Sequence, residues 1–273
     1  MTTPPATIRT FDTSQGSLPP GGPTEIQTLF LGGDLGAGND DIVFFGAVAT
    51  APIEGIPSPP TNDIEDLVVV GATDLTEAQI AALLPLPGLI TPGTQMNVST
   101  AGIGVNNNNL NGANEGNGTG TFAGTTITSG DESFVVNPET VVDKVRVFID
   151  NSVGGYTPNT EDLYYTVYYT DGTTSGPTDV TNPLAVPSLD PNNEFPNSLQ
   201  GHGQYFDIDG GDKQIDAVQL TMGRGTIKIP VIQFSVEEVF DPEPLRLDFT
   251  ATLFDGDGDK QQDPFKVDLS SIL

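Results

Sequence analysis

The sequence predicts an all-β protein, an antiparallel jelly-roll-like β-sandwich with one short helix and an extended N-terminal arm. Short apolar segments with alternating polarity recur along the chain, most densely in its second half. Turn-forming glycine and asparagine residues separate these segments, and only one segment has a helical pattern. The chain has 273 residues, 36% of them hydrophobic, which is enough to fill one large core.

The chain divides into an arm, residues 1–24, and a sandwich domain, residues 25–273. The arm contains five prolines and three glycines, a composition that favours extended structure. Within the sandwich domain, residues 25–130 are rich in Gly, Asn and Pro, whereas residues 131–273 are dense in predicted strands.

The predicted strands share β-branched and aromatic residues and, in most cases, period-two alternation. They cover residues 24–31, 42–45, 67–70, 134–136, 144–149, 163–169, 214–221, 226–234, 245–254 and 265–269. The one predicted helix covers residues 76–84, because Asp74 and Glu77 form a capping-box-like start and Pro85 ends it. The Asn-rich stretch 101–130 is either a loop or contains short edge strands near Val105 and Ile127.

The net charge of the chain limits its partners. Nine Lys and Arg face 37 Asp and Glu, for a formal net charge of -28. Without a basic patch the chain is not expected to bind nucleic acid or an anionic membrane, and divalent cations are its natural partners. A solvated acidic surface, as in proteins from salty habitats, is the alternative interpretation of the charge.

The chain is expected to be secreted or displayed on a bacterial cell surface. It has no cysteine, so disulfides cannot supply its stability. It has no apolar run of about 20 residues, the length that spans a membrane. The N-terminus also lacks the apolar segment of a signal peptide, so the sequence is either a mature form or is exported through an uncleaved C-terminal signal.

The strongest candidate for a metal site is Asp255-Gly256-Asp257-Gly258-Asp259, with Asp263 as a further ligand. Alternating carboxylates and glycines supply oxygen ligands on a flexible turn, which suits calcium. An acidic hairpin turn without metal is the alternative. The sequence therefore predicts Ca²⁺ as the cofactor.

Two further segments combine carboxylates with glycines. The first covers residues 36–43, with Asp40 as its candidate ligand. The second, which is predicted to form one loop, carries the candidate ligands Asp207, Asp209 and Asp212. For both segments, a plain turn and a calcium site are equally favoured.

Residues 133–273 resemble the repeat modules of large bacterial type I-secreted RTX adhesins. The resemblance rests on the strand, acidic turn and last strand within residues 245–269, and on residues 36–43, which are similar to one RTX nonapeptide unit. It implies calcium-rigidified β-sandwich modules exported through a C-terminal signal. This chain is short and lacks tandem modules, which favours self-assembly of small subunits over a long tether.

Catalysis has little support in the sequence, and we expect the protein not to be an enzyme. The one histidine, His202, lies in a Gly-rich segment without a nucleophile elbow. A zinc site would need several His or Cys ligands. A pair of glycosidase carboxylates cannot be selected among 37 acidic residues.

Two hypotheses of function remain. The first is a calcium-binding structural subunit that self-assembles into an extracellular filament, sheath or matrix. In this hypothesis residues 8–11 of the arm add a strand to the next subunit, and the alternative is that the arm folds back on its own sandwich. The second is a calcium-dependent adhesin or glycan-binding module, in which Tyr164 and Tyr168, on one face of their strand, form either a sugar platform or core.

Overall fold

The structure is a computed structural model that describes most of the chain. The described residues are 7–16, 26–29, 31, 42–47, 49, 94–99, 101–113, 127–128, 130–138, 140–151, 155–192, 194–238, 245–254, 257 and 260–269. They form two compact units. The larger unit lies within Thr10–Val236, and the smaller unit is formed by the described residues before Thr10 and after Val236.

The described residues contain seventeen strands and, as helices, only 3-10 turns. The strands of the first half are β1 (Thr7–Asp12), β2 (Ile26–Leu29), β3 (Ile42–Gly46), β4 (Met96–Ser99), β5 (Gly102–Val105), β6 (Leu110–Asn111) and β7 (Glu132–Pro138). Those that follow are β8 (Lys144–Asp150), β9 (Asp162–Tyr169), β10 (Thr178–Asp179), β11 (Leu184–Ala185), β12 (Gly203–Asp209), β13 (Ile215–Arg224), β14 (Thr226–Ile227), β15 (Ile232–Glu238), β16 (Leu245–Phe254) and β17 (Lys260–Leu269). Thr13–Gln15 and Asn197–Leu199 are 3-10 turns.

Two antiparallel sheets make up the sandwich. The five-stranded sheet has the order β1-β15-β8-β12-β11, and the six-stranded sheet has the order β10-β9-β13-β7-β3-β2. Smaller two-stranded sheets are formed by β14-β6 and β4-β5. The predicted all-β antiparallel sandwich is therefore confirmed.

Alternation along the strands fills the core between the two sheets. In β8, Val145, Val147 and Ile149 face the core, and Arg146 and Phe148 lie on the outer face. The aromatic pair Phe44 and Phe134 meets in the core at a ring-centroid distance of 6.3 Å. Burial of such side chains is the main source of stability of the fold, at about 1.5–3 kcal/mol for each fully buried apolar side chain.

The six-stranded sheet is buried on both faces at β3. Ile42, Val43, Phe44 and Phe45 are each at most 1% exposed, although alternate residues point to opposite faces. A continuous apolar run is typical of a strand that is covered on both sides. This explains why residues 42–45 have the composition of a strand without any alternation.

The structure corrects one strand prediction and leaves two other elements untested. The predicted strand 226–234 is two strands, β14 and β15, separated by residues 228–231. Pro230 lies in that interval, and proline has no N–H to donate to a ladder. The predicted strand 67–70 and helix 76–84 lie outside the described residues.

The Asn-rich stretch contains ordered strands. The predicted strand near Val105 is confirmed as β5, and Ile127 is described but belongs to no strand. Asn106, at the start of the β5–β6 connection, has a φ of 62°, the left-handed conformation that asparagine tolerates better than most residues. Gly104 lies so close to the backbone of Asn109 that a Cβ atom would be 1.9 Å from the Asn109 carbonyl oxygen. Only glycine fits at this approach.

Part of the N-terminal arm joins the sandwich of its own chain. Strand β1 is the edge strand beside β15 in the five-stranded sheet, and a 3-10 turn follows it. In a single chain, residues 7–16 therefore fold back on their own sandwich, which is the alternative expected for the arm. Residues 1–6 and 17–25 lie outside the described part.

The smaller unit contains a β-hairpin of two ten-residue strands. Strands β16 and β17 pair from Leu245 opposite Leu269 to Phe254 opposite Lys260. The five residues between them are the acidic segment 255–259. The predicted strand 245–254 is confirmed, and the last strand begins five residues earlier than predicted, at Lys260.

Candidate functional sites

The acidic segment 255–259 connects the two strands of the hairpin. Asp257 is exposed, and Asp263 lies on β17 opposite Ala251 and is also exposed. The positions of Asp255 and Asp259, like that of Asp40, lie outside the described residues. Calcium binding at these residues stays a prediction.

The second acidic segment is not a loop. Asp207 and Asp209 belong to β12, and only Asp212 lies in the turn that follows, so the grouping of the three residues in one loop is wrong. Because alternate residues share a face, Asp207 and Asp209 both lie opposite cations of β8: the register pairs them with Arg146 and Lys144. Among the residues that the structure describes, no group of three or more Asp, Glu or His side chains is arranged to hold a metal ion.

Arg146 neutralises Asp207 directly. The Arg146 Nε and Nη2 atoms donate hydrogen bonds of 2.6 and 2.9 Å to the two carboxylate oxygens of Asp207. The guanidinium carbon lies 4.6 Å from the ring centre of Tyr205 and 5.4 Å from that of Phe195, so the cation stacks on two rings. The hydrogen bond to Asp207 raises the pKa of Arg146. These contacts give Asp207 a structural partner that the sequence pattern did not indicate, because the pattern did not predict β12.

His202 lies in a charged cluster at the end of β8. Its Nδ1 atom is 3.9 Å from a carboxylate oxygen of Asp150, and the Lys228 ammonium is 3.1 Å from the other oxygen. His202 is 57% exposed, whereas Asp150 is 13% exposed. The cluster joins residues from three segments around one carboxylate.

The tyrosine face of β9 lies on the outer side of the six-stranded sheet. The predicted division of this strand is confirmed, because Leu163 and Val167 belong to the core and Tyr165 packs against it. Tyr168 is 8% exposed and its hydroxyl donates a 2.6 Å hydrogen bond to the side-chain oxygen of Gln219. Tyr168 is therefore a buried structural residue, whereas Tyr164 is only half-buried.

A small pocket of about 150 Å³ opens beside Tyr164. Thr166 from β9 and Gln219 and Thr221 from β13 supply its polar lining. The sequence did not single out Gln219 and Thr221 as candidates, although the alternation within the predicted strand 214–221 places them on one face. The pocket thus combines residues that lie more than 50 positions apart in the chain.

The C-terminal half of strand β1 and the residue after it are held in the larger unit by a few strong contacts. The ring of Phe11 is 1% exposed and stacks on Phe234 at a centroid distance of 5.2 Å. The Thr13 hydroxyl accepts a 3.1 Å hydrogen bond from the backbone N–H of Ile232. By contrast, Ile8 is 67% exposed. The strand is anchored at its C-terminal end and is accessible at its N-terminal end.

Within the described residues, no helix combines the length and the apolar character that crossing a membrane requires. Comparisons of the chain with protein-family models, curated proteins and solved structures found no match.

Proposed function

We propose that this protein is a secreted, calcium-binding structural subunit that self-assembles into an extracellular filament, sheath or matrix. The observation that carries the proposal is strand β1, an edge strand formed by the N-terminal arm and anchored by Phe11 and Thr13. Such a strand can be donated by one subunit to the sheet edge of the next.

Exchange of β1 between subunits preserves its contacts. The stacking of Phe11 on Phe234 and the Thr13 to Ile232 hydrogen bond are the same whether β1 comes from its own chain or from a neighbour. The free-energy difference between the two arrangements therefore depends mainly on the linker and on the subunit concentration. A donor strand that enters the next subunit makes a heterologous contact, which propagates into a ring or filament.

The linker supports exchange by its composition and length. Residues 17–25 lie between the 3-10 turn that follows β1 of the five-stranded sheet and β2 of the six-stranded sheet, and they contain three prolines and two glycines. The ten Cα steps from Gly16 to Ile26 span at most about 35 Å when extended. Proline-rich linkers favour extended conformations, so a linker of this composition can carry β1 to a neighbouring subunit as well as to its own chain.

Calcium offsets the repulsion between acidic subunits in this proposal. A net charge of -28 on each chain opposes assembly unless cations neutralise part of it. The carboxylates of the hairpin segment 255–259 are the ligands that we propose, since Asp207 and Asp209 already pair with Arg146 and Lys144.

A disulfide trap between two tagged variants tests the exchange. One variant carries Phe11→Cys and a small affinity tag, and the other carries Phe234→Cys and no tag. The chain has no cysteine of its own, so a disulfide between two different subunits forms only if β1 of one chain reaches the Phe234 position of another. We expect a covalent heterodimer after mild oxidation, at concentrations where electron microscopy shows linear assemblies.

A matched pair of controls defines the outcome. Thr10→Cys lies on the same strand but is exposed, and mixed with the Phe234→Cys variant it should give much less heterodimer. Deletion of residues 1–16 should abolish assembly, and a synthetic peptide of residues 7–16 should bind the truncated protein without restoring filaments. A truncated protein that still assembles at the same concentration as the full chain refutes the proposal.

A further inference from the structure

We propose that the pocket beside Tyr164 binds one neutral pyranose ring, either as a free sugar or as the end of a glycan. The site lies in the larger unit and does not depend on the strand exchange proposed above. Its volume of about 150 Å³ is below the roughly 300–1,000 Å³ of pockets for drug-sized ligands. A ligand of one ring matches this volume.

The lining of the pocket selects an uncharged ligand. Its polar side chains are Tyr164, Thr166, Gln219 and Thr221, and its apolar side is formed by Ala49, Ile127 and Pro177. None of these seven residues carries a charge, in a chain whose net charge is -28. An anionic ligand would meet no cation among the described lining residues and would be repelled by the field of the protein.

A buried hydrogen-bond network fixes the orientation of Gln219. Its side-chain oxygen accepts a 2.6 Å hydrogen bond from the Tyr168 hydroxyl, and its amide nitrogen donates a 2.8 Å hydrogen bond to the Ser133 hydroxyl. Gln219 is 3% exposed and Ser133 is 1% exposed. The amide therefore enters the pocket in one orientation, without the entropy loss that a mobile side chain would suffer on binding.

The network leaves hydrogen-bonding capacity on the pocket side. An amide has two N–H groups and a carbonyl oxygen with two lone pairs, and the network uses one of each on Gln219. The Thr221 hydroxyl pairs with Ser133 at 2.8 Å and keeps at least one lone pair. The Thr166 hydroxyl makes no hydrogen bond within the described residues. These side chains thus offer both donors and acceptors to the hydroxyl groups of a sugar.

Other residues of the lining suit the apolar character of a sugar ring. A pyranose has hydroxyl groups at its edge and a C–H face that packs against aromatic and apolar side chains. Tyr164 supplies the ring, and Pro177 and Ile127 extend the apolar surface. The pocket therefore offers both polar and apolar side chains to a ligand that has a polar edge and an apolar face.

Saturation-transfer difference NMR on the full chain tests the proposal, because it detects ligand signals even when the protein is assembled. The probes are the methyl glycosides of glucose, galactose and mannose, N-acetylglucosamine and, as the anionic comparison, glucuronate. We expect a saturable signal from at least one neutral pyranose and weaker binding of glucuronate. Thr166→Val, which removes one hydroxyl from a strand position that also suits valine, should weaken that binding at least tenfold, or about 1.4 kcal/mol.

Thr170→Val is the matched control, since Thr170 is exposed and lies directly after the same strand. It should bind the responding sugar like the unmodified chain. An oligosaccharide that ends in the responding ring distinguishes the sources: tighter binding identifies a glycan end, and equal binding identifies the ring alone. The proposal is overturned if no neutral pyranose gives a saturable signal, or if Thr166→Val binds as well as Thr170→Val.

Discussion

At the scale of single residues, several buried polar side chains of this protein are held by specific hydrogen-bond partners. Tyr156 is the largest example: its ring is 2% exposed, and its hydroxyl donates a 2.9 Å hydrogen bond to the carbonyl of Val180 and accepts a 3.0 Å bond from the N–H of Leu163. Asp131 likewise accepts from the N–H groups of Ala113 and Thr128. Because an unpaired buried polar group costs about 1–3 kcal/mol, such side chains specify how the loops meet the strands.

Tyr156→Phe should lower the free energy of unfolding by about 1–3 kcal/mol, because the carbonyl of Val180 and the N–H of Leu163 lose their partner. Burial raises the pKa of Tyr156 well above its ordinary value. Its neutral form is thus favoured in the folded state, so its contribution to stability is complete below about pH 10 and is lost as the pH rises from there towards the folded-state pKa.

Urea unfolding of the two proteins between pH 8 and pH 11 measures this effect. The loss of stability above about pH 10 should be smaller in Tyr156→Phe than in the unmodified chain. Tyr205→Phe, at a half-buried ring on the outer face, is the control and should keep the full alkaline loss. Identical pH profiles for all three proteins would contradict the assigned role of Tyr156.

At the scale of elements, the two acidic segments have different surroundings. In β12, Asp207 and Asp209 lie across from Arg146 and Lys144, so strand pairing brings each carboxylate its own cation. In the hairpin of the smaller unit, segment 255–259 is the connection between β16 and β17 and concentrates three carboxylates within five residues. The second segment is the one at which we propose calcium binding, because closely spaced carboxylates repel one another.

Calcium dependence should therefore separate the two segments. We expect the unmodified chain to have a higher melting temperature in calcium than in EDTA. At a calcium concentration a hundredfold above the dissociation constant, binding adds about 2.7 kcal/mol to the free energy of unfolding. Asp257→Ala should remove most of this difference. Asp207→Asn should lower the melting temperature equally in calcium and in EDTA. The substitution weakens the ion pair with Arg146, and in this proposal it removes no ligand of the metal.

Differential scanning fluorimetry of the three proteins in both buffers gives the comparison. If the unmodified chain melts at the same temperature in calcium and in EDTA, the calcium proposal fails. A calcium effect that is lost in Asp207→Asn but kept in Asp257→Ala would move the site to β12.

At the scale of the whole molecule, repulsion between carboxylates opposes both folding and assembly. The chain carries only nine Lys and Arg, and several of them are committed to close pairs, such as Lys213 with Asp171 at 2.8 Å and Lys228 with Asp150 at 3.1 Å. The Asp171 pair and its hydrogen bonds lower the pKa of Asp171 to about 2. Most of the 37 acidic residues must therefore be screened by the solution.

Salt should raise the stability of this protein even without calcium. Between 0.01 and 0.15 M NaCl the Debye length falls from about 30 to about 8 Å, which screens repulsion between carboxylates that are far apart. We expect the melting temperature to rise over this range and the concentration needed for assembly to fall. Melting temperatures measured in EDTA and in calcium chloride at equal ionic strength separate charge screening from specific calcium binding. A melting temperature that falls as the NaCl concentration rises would contradict the role of repulsion between carboxylates.

Local sequence patterns are sufficient to specify the class of fold and the position of most strands. Alternation in β8, β9 and β16 is strong enough to assign their residues to strands and, for β9, to opposite faces of the sheet. The all-buried run of β3 is also recognisable, because its four apolar residues are bounded by polar and glycine residues. These features are local, so neighbouring positions alone are enough to recognise them.

The meeting of distant residues, by contrast, depends on the tertiary structure. The acidic residues of β12 and the glycines after it are typical of turns, and the cations on β8 that stabilise this strand lie about 60 positions earlier. The arm forms an edge strand because Phe11 packs on Phe234, far away in the chain. The wall of the pocket likewise joins β9 to β13 through a register that no local pattern specifies. Strand order and register depend on the packing of the whole core, and a single sequence records that packing only indirectly.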